Sequence, residues 1–211
     1  MPALVIDSVT TQGRGPYSVR VKGGLCLGLS GPSGAGKSLL LRAITDLDEH
    51  EGRVALIDAA GEVDAMSISG PEWRRRIGYL PARVVWWFPT VGAHFDGFEI
   101  DERWLASMEL ERSALEWPIA RLSSGESQRF ALLRLLVRRP QALLLDEATA
   151  HLDPDRTLAV EELIGHYRSE HDAPVIWVTH DPEQLSRVAQ STAILGSAGL
   201  RFSSGPPGSA A

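Results

Sequence analysis

The chain has 211 residues, 44% hydrophobic and 23% charged, which suits one globular domain with a full core and leaves little room for a second. Its net charge of −6 removes any global attraction to nucleic acid or to an anionic membrane surface, so no nucleic-acid partner is expected. The single cysteine, Cys26, excludes a disulfide within the chain and lies in an apolar run, where a small buried residue is its expected role. No apolar run approaches the length of a membrane span, and Met1 to Asp7 lacks a basic stretch followed by an apolar core, so the expectation is a soluble, cytoplasmic chain.

In chain order, residues 3–9 and 17–21 read as two β-segments around a Gly13-Arg14-Gly15-Pro16 turn, a β-rich entry. A short apolar strand, Leu25 to Leu29, follows. Residues 38–46 read as a helix and 53–58 as a strand. Ser69-Gly70-Pro71-Glu72 carries helix-start signals before Trp73 and the run Arg74-Arg75-Arg76, which is expected to be a solvated helix face. Ile77 to Leu80 is a short strand stopped by Pro81, and Val84-Val85-Trp86-Trp87-Phe88 is unusually aromatic ahead of a helix expected near Thr90. A helix is expected over 101–112, and a long one follows Leu122-Ser123-Ser124-Gly125-Glu126 and ends at Pro140. Then come an apolar strand, 142–147, a helix, 155–170, a strand, 174–179, and a helix, 182–189. That alternation predicts βαβ units and a parallel sheet. Residues 203–211 are small, polar and Pro/Gly-rich, as in a frayed tail.

The chemistry centres on Gly31-Pro32-Ser33-Gly34-Ala35-Gly36-Lys37-Ser38-Leu39. It matches G-x-x-x-x-G-K-[ST] and lies between a strand and a helix, the order a phosphate cradle requires. Its glycines let backbone N–H groups turn onto phosphate oxygens, and the helix start adds the positive end of its dipole. Lys37 would reach the β- and γ-phosphates and the Ser38 hydroxyl would ligate Mg²⁺. Asp146, at a strand's C-terminal end, is placed to hold Mg²⁺, and Glu147, one residue on, to polarise an attacking water. Taken singly, Asp146 could cap a turn, Glu147 could be a surface charge, and His180 an ordinary loop residue.

In this order the motifs resemble the ATP-binding subunit of ABC transporters over about residues 3–202. Gly31 to Ser38 is similar to the Walker A loop, and Leu122 to Glu126 with Gln128-Arg129 to the LSGGQ signature, with Ser124 in place of a glycine. Leu143 to Glu147 is similar to Walker B plus the catalytic glutamate, His151-Leu152-Asp153 to the D-loop, and Val178 to Asp181 to the switch-histidine segment. The resemblance implies a single α/β domain, a P-loop ABC-type ATPase core with an N-terminal antiparallel β-segment and a small helical subdomain over about 83–138. It implies ATP and Mg²⁺ as ligands, with Glu147, His180 and Lys37 catalytic. It also implies that Ser123, Ser124, Gly125 and Glu126 meet the nucleotide of a second copy, beside the Asp153 loop, so that a homodimer holds two ATP molecules. A separate integral membrane permease would be the other partner, holding the chain peripherally at the inner membrane face. The short length and compact insert resemble small stand-alone bacterial subunits.

Two departures stand out, and one segment has two readings. Ala82 occupies the place of the family's glutamine that touches Mg²⁺ and water. No aromatic residue stands where the family stacks adenine: Gln12 falls near that place, and Tyr17 is a candidate substitute. Residues 84–88 either fill the core of an undersized subdomain or form a surface that receives the permease. Two other functions remain open at this point, a soluble ABC ATPase without transport and a regulatory subunit that hydrolyses poorly for want of the glutamine.

Overall fold

The computed structural model describes residues 2–95, 97–196 and 199–203; most of the expected tail lies outside them. Two sheets form the frame. The first is antiparallel, built from β1 (Ala3–Thr11), β2 (Arg14–Lys22), β4 (Glu51–Asp58) and β5 (Gly61–Asp64) in the order β2-β1-β4-β5. The second runs β10-β9-β3-β8-β7-β6, from β3 (Cys26–Ser30), β6 (Ile77–Leu80), β7 (Ala142–Asp146), β8 (Val175–Val178), β9 (Ser191–Gly196) and β10 (Gly199–Phe202). All its pairings are parallel except the β9–β10 hairpin.

The continuous apolar runs of β3, β7 and β8 follow from burial on both faces. Leu144 and Ile176 face a cluster shared with Leu4, Ile6, Tyr17 and helix α1 (Lys37–Ile44). Their strand neighbours Leu143, Leu145, Val175 and Trp177 face a second cluster with α4 (Ser124–Leu136) and α5 (Pro154–His171). This period-two alternation along each strand fixes register, because a one-residue slip would exchange the two cores. Helix α2 (Gly70–Arg76) plants a fully buried Trp73, whose Nε1–H donates to the Ile44 carbonyl at 2.8 Å. The arginine run on α2 is a largely solvated face, as expected: Arg74 and Arg75 are exposed, with Arg74 donating to the Asp46 carbonyl at 2.7 Å, and Arg76 pairs with Glu72.

Between β6 and α4 the structure departs from expectation. The helix expected near Thr90 is a single 3-10 turn, Gly92–His94. Cross-links to residues 117–119 hold this segment extended instead: Val91 N donates to the Trp117 carbonyl and Ile119 N to the Pro89 carbonyl. The helix expected over 101–112 stops early, as α3 (Glu102–Ser107). Its end is taken up by a buried guanidinium, since Arg129 donates to the Met108 carbonyl, and Glu109 then turns to positive φ. Side chains of this segment, including Phe95, Leu105 and Met108, join the same cluster as Phe130 and Leu143. The last helix, α6 (Pro182–Val188), leads into β9. Among the described residues no helix is long and apolar enough to cross a membrane.

Candidate nucleotide site

Strands β3, β8 and β7 are neighbours in the sheet, so the loops leaving their carboxyl ends converge, the usual ligand position in an open α/β sheet. The loop after β3 carries the phosphate motif, the loop after β7 carries Glu147, and the one after β8 carries His180.

The phosphate loop requires its glycines for different reasons. Gly31 has φ 144°, and a Cβ there would lie 2.3 Å from the Leu195 carbonyl oxygen of β9. Gly36 has φ 102° and caps α1 in the left-handed region. Pro32, Ser33, Gly34 and Ala35 complete the turn between strand and helix, closed by Ala35 N donating to the Pro32 carbonyl at 3.1 Å. Lys37 is buried, and its Nζ donates to the Gly31 carbonyl at 2.8 Å and the Pro32 carbonyl at 3.1 Å. It has no carboxylate partner among the described ion pairs, so a cation held only by two backbone carbonyls is poised for an anion. Leu39 follows Ser38 within α1.

Asp146 ends β7 at 3% exposure. Burial pushes its carboxyl up from the usual carboxylate range, opposed by a hydrogen bond from the Ser38 hydroxyl. A hydroxyl and a buried carboxylate are hard oxygen donors, so the pair fits Mg²⁺ together with phosphate and water. The sequence reading overlooked Tyr79 on β6, whose hydroxyl lies 3.5 Å from Asp146 Oδ2 and whose ionisation burial suppresses. Glu147 adopts φ 51°, held by Glu147 N donating to the Val178 carbonyl and by Ala150 N donating to the Glu147 carbonyl. That turn carries its carboxylate to 3.1 Å from His180 Nε2. Ala82 follows β6, two residues beyond Leu80.

The signature segment stands at the start of α4. Ser123 caps the helix: its hydroxyl accepts from Glu126 N at 3.2 Å while Ser123 N donates back to Glu126 Oε2 at 2.9 Å, a reciprocal capping box, and the hydroxyl also donates to Glu126 Oε2 at 2.7 Å. Those hydrogen bonds hold the Glu126 carboxyl below the usual carboxylate range. The Ser123 hydroxyl is therefore engaged within its own helix. Ser124 opens that helix, and a Cβ on Gly125 would lie 3.3 Å from Leu152 Cδ2, so signature and D-loop touch. Asp153 caps α5, accepting from Arg156 N at 3.0 Å.

Tyr17 is corrected. It is 2% exposed, inside the cluster between the sheets, and cannot stack on a base. The hairpin side chain on the phosphate loop is Arg14, which donates to the Ala35 carbonyl at 3.0 Å. Arg14, expected in a Gly13–Pro16 turn, is instead the first residue of β2, paired with Thr11 of β1, and no sequence pattern announces its contact with the phosphate loop.

A glycine cradle, a buried lysine and a Ser–Asp pair at parallel strand ends define a phosphate-loop nucleotide-binding protein of the α/β class. Residues 15–150 match the ABC transporter family, and the chain belongs to that family. It is 38% identical over 205 residues to the methionine import ATP-binding protein MetN of Xanthomonas campestris pv. campestris, covering 90% of this chain and 60% of that protein. It is 33% identical over 206 residues to MetN 1 of Pseudomonas fluorescens, covering 90% and 61%. The chain thus spans about 60% of the length of these relatives. Among solved structures, an ATP-binding subunit of an ABC transporter superposes with TM-score 0.82 at 23% identity, covering 96% of this chain and 90% of that one. A bacterial Atm1-family ABC exporter with ATP bound gives 0.80 at 24%, covering 94% and 38%. At those identities the two structures show the fold alone.

Proposed function

We propose that the chain binds ATP with Mg²⁺ at the β3–β7–β8 loop ends, hydrolyses it as a homodimer, and drives transport through a separate membrane permease at the cytoplasmic face of the membrane. The observation that carries this reading is the convergence of Lys37, Asp146, Glu147 and His180 from three adjacent strand ends, in a family whose similar members are named import ATP-binding proteins.

In the proposed reaction Lys37 exchanges its two carbonyl partners for phosphate oxygens, and the loop N–H groups hold the β-phosphate. Ser38 and Asp146 would hold Mg²⁺, which would supply neutralisation of the phosphate charge. Glu147 accepts a proton from the attacking water, and its geometry is set by His180, whose Nε2–H donates to the carboxylate. Ser123, Ser124 and Gly125 of a second copy close the site over the γ-phosphate. The cargo is selected by the permease.

Glu147→Gln tests this reading. The amide keeps the shape and loses the proton acceptor, so turnover should fall by about 10²-fold or more while ATP binding persists. Size-exclusion chromatography with Mg-ATP should then show an accumulated dimer. A mutant that remains monomeric and hydrolyses ATP normally removes Glu147 from its role.

A further inference from the structure

Gln184 is a buried polar side chain that the reaction outlined for Glu147 and His180 leaves unused. It lies on α6 at 2% exposure, four residues after His180. Its amide donates twice, to Thr149 Oγ1 at 2.9 Å and to Glu161 Oε1 at 2.8 Å. Thr149 is itself 9% exposed and stands two residues after Glu147, in the loop that leaves β7. One amide thus joins three segments: the loop that carries Glu147, helix α5 through Glu161, and the helix into which His180 leads.

Charge fixes how that amide sits. The Glu161 side chain is only 8% exposed, and its carboxylate also accepts from Arg187 Nε and Nη2, each at 2.8 Å. An ionised carboxylate only accepts, so the NH₂ end of Gln184 must face it, and the second N–H on the same nitrogen is the one that reaches Thr149. Turning the amide over would set its oxygen against the carboxylate. A buried amide is costly unless its hydrogen bonds are made, and an apolar side chain would fill the same space without that requirement.

The two reacting groups need a hold of this kind. Glu147 Oε1 and His180 Nε2 are 3.1 Å apart, yet the two side chains are 35% and 50% exposed, and a solvated pair does little to fix its own geometry. Beyond Glu147 the chain turns through Leu152 N donating to the Thr149 carbonyl, so Thr149 lies inside the turn that presents the carboxylate. Beyond His180, Asp181 caps α6 by accepting from Glu183 N at 2.9 Å, and Leu185 N donates to the Asp181 carbonyl, so Gln184 is rigidly linked to the histidine's backbone.

We propose that Gln184 is a positioning residue for hydrolysis: its bond to Thr149 clamps the Glu147 loop to the His180 helix from the buried side and holds the carboxylate and the imidazole in register. The proposal rests on Glu147 acting as the proton acceptor. Misplacing a reacting group by about 1 Å can cost about 100-fold in rate even when the altered residue lies outside the chemistry.

Steady-state ATPase rates of the full chain, counted per site that binds a non-hydrolysable ATP analogue, test it. Gln184→Met keeps the side chain's length and loses both donors; Thr149→Val keeps the shape and loses the hydroxyl. Each should lower kcat about tenfold or more, while the Kd for the analogue stays within about twofold of wild type, a split that a merely structural residue would not produce. Thr149→Ser retains the hydroxyl and should retain the wild-type kcat. The Gln184→Met, Thr149→Val double variant should be no slower than the slower single one, because both lesions break the same bond. The proposal is overturned if both single variants turn over like wild type, if Thr149→Ser falls as far as Thr149→Val, if analogue affinity falls in step with kcat, or if the two losses multiply in the double variant. Where Gln184→Met does not fold, the comparison of Thr149→Val with Thr149→Ser decides the same question. Glu147→Gln, measured alongside, separates the two readings: normal turnover there overturns both, whereas a dead Glu147→Gln beside fully active Gln184 and Thr149 variants overturns this proposal alone.

Discussion

Glu147 sits at φ 51°, a left-handed conformation that costs a non-glycine residue roughly 1–2 kcal/mol. Its backbone bonds to β8 and Ala150 maintain that conformation, and the return is a carboxylate within reach of His180. The identities of Lys37, Asp146, Glu147 and His180 were legible in the sequence because their chemistry is written in contiguous motifs. Tyr79 and Arg14 were not, since each acts across a sheet or hairpin, on Asp146 and on Ala35. Glu126 was legible as a residue and not as a constraint: its carboxylate engages the Ser123 hydroxyl that the signature would offer to phosphate. Ala82 gives a prediction at this scale. Ala82→Gln should raise hydrolysis or sharpen its Mg²⁺ dependence, because it returns an oxygen ligand and a group that orients water. Steady-state rates of both proteins across a Mg²⁺ titration decide it, and superimposable curves would mean that other groups already supply that function.

The aromatic segment after β6 is organised by one imidazole. His94 is 1% exposed; its Nε2 accepts from the backbone N–H groups of Trp87 and Phe88 at 2.9 and 2.8 Å, and its Nδ1–H donates to the Thr90 carbonyl at 2.9 Å. Burial holds its pKa below the ordinary value of 6.5, helped by Arg134, whose guanidinium lies over both tryptophan rings. A folded-state pKa below the unfolded one means that the unfolded chain binds the extra proton, so this stability is fully present above about pH 6.5 and is lost as pH falls below it. The melting temperature of wild type should therefore drop more between pH 7.5 and 5.5 than that of His94→Gln. Parallel curves would remove His94 from this role. The segment's two tryptophans divide the alternatives drawn from sequence. Trp86 packs on the core and donates to Ser127 Oγ at 2.8 Å, whereas Trp87 is 62% exposed beside Val85 and Phe88. Trp86→Ala should cost about 3 kcal/mol of stability, while Trp87→Ala should leave melting nearly unchanged and weaken association with the proposed permease by about 2 kcal/mol. A Trp87→Ala protein that unfolds would return the whole segment to the core. Elements here were hard to read because residues 89–91 are held by bonds to 117–119, which no local pattern announces. Strands β5 and β10 pair with their sequence neighbours in hairpins, yet four residues each are too few to show an alternation, and β9 went unread with β10.

Across the whole molecule the order of motifs was legible and the order of strands was not, since β3 lies between β8 and β9, pairings far apart in sequence that no local propensity encodes. That order sets the phosphate loop at the carboxyl end of an interior strand, whereas the signature helix α4 follows the segment after β6. Within one chain the signature glycine touches the D-loop, Leu152 Cδ2 lying 3.3 Å from a Cβ at Gly125. In a two-fold dimer each site would then take its Walker loop from one chain and its signature from the other. Lys37→Ala and Gly125→Asp should each inactivate the homodimer, the first by removing the phosphate cation and the second by setting a carboxylate against phosphate. Mixed in equal amounts and allowed to exchange, the two mutants should regain about a quarter of the wild-type rate, because half the dimers are mixed and each mixed dimer has both lesions in one site and an intact second site. A mixture as inactive as its parents, with exchange verified by differential tagging, would rule out two independent sites shared across the dimer.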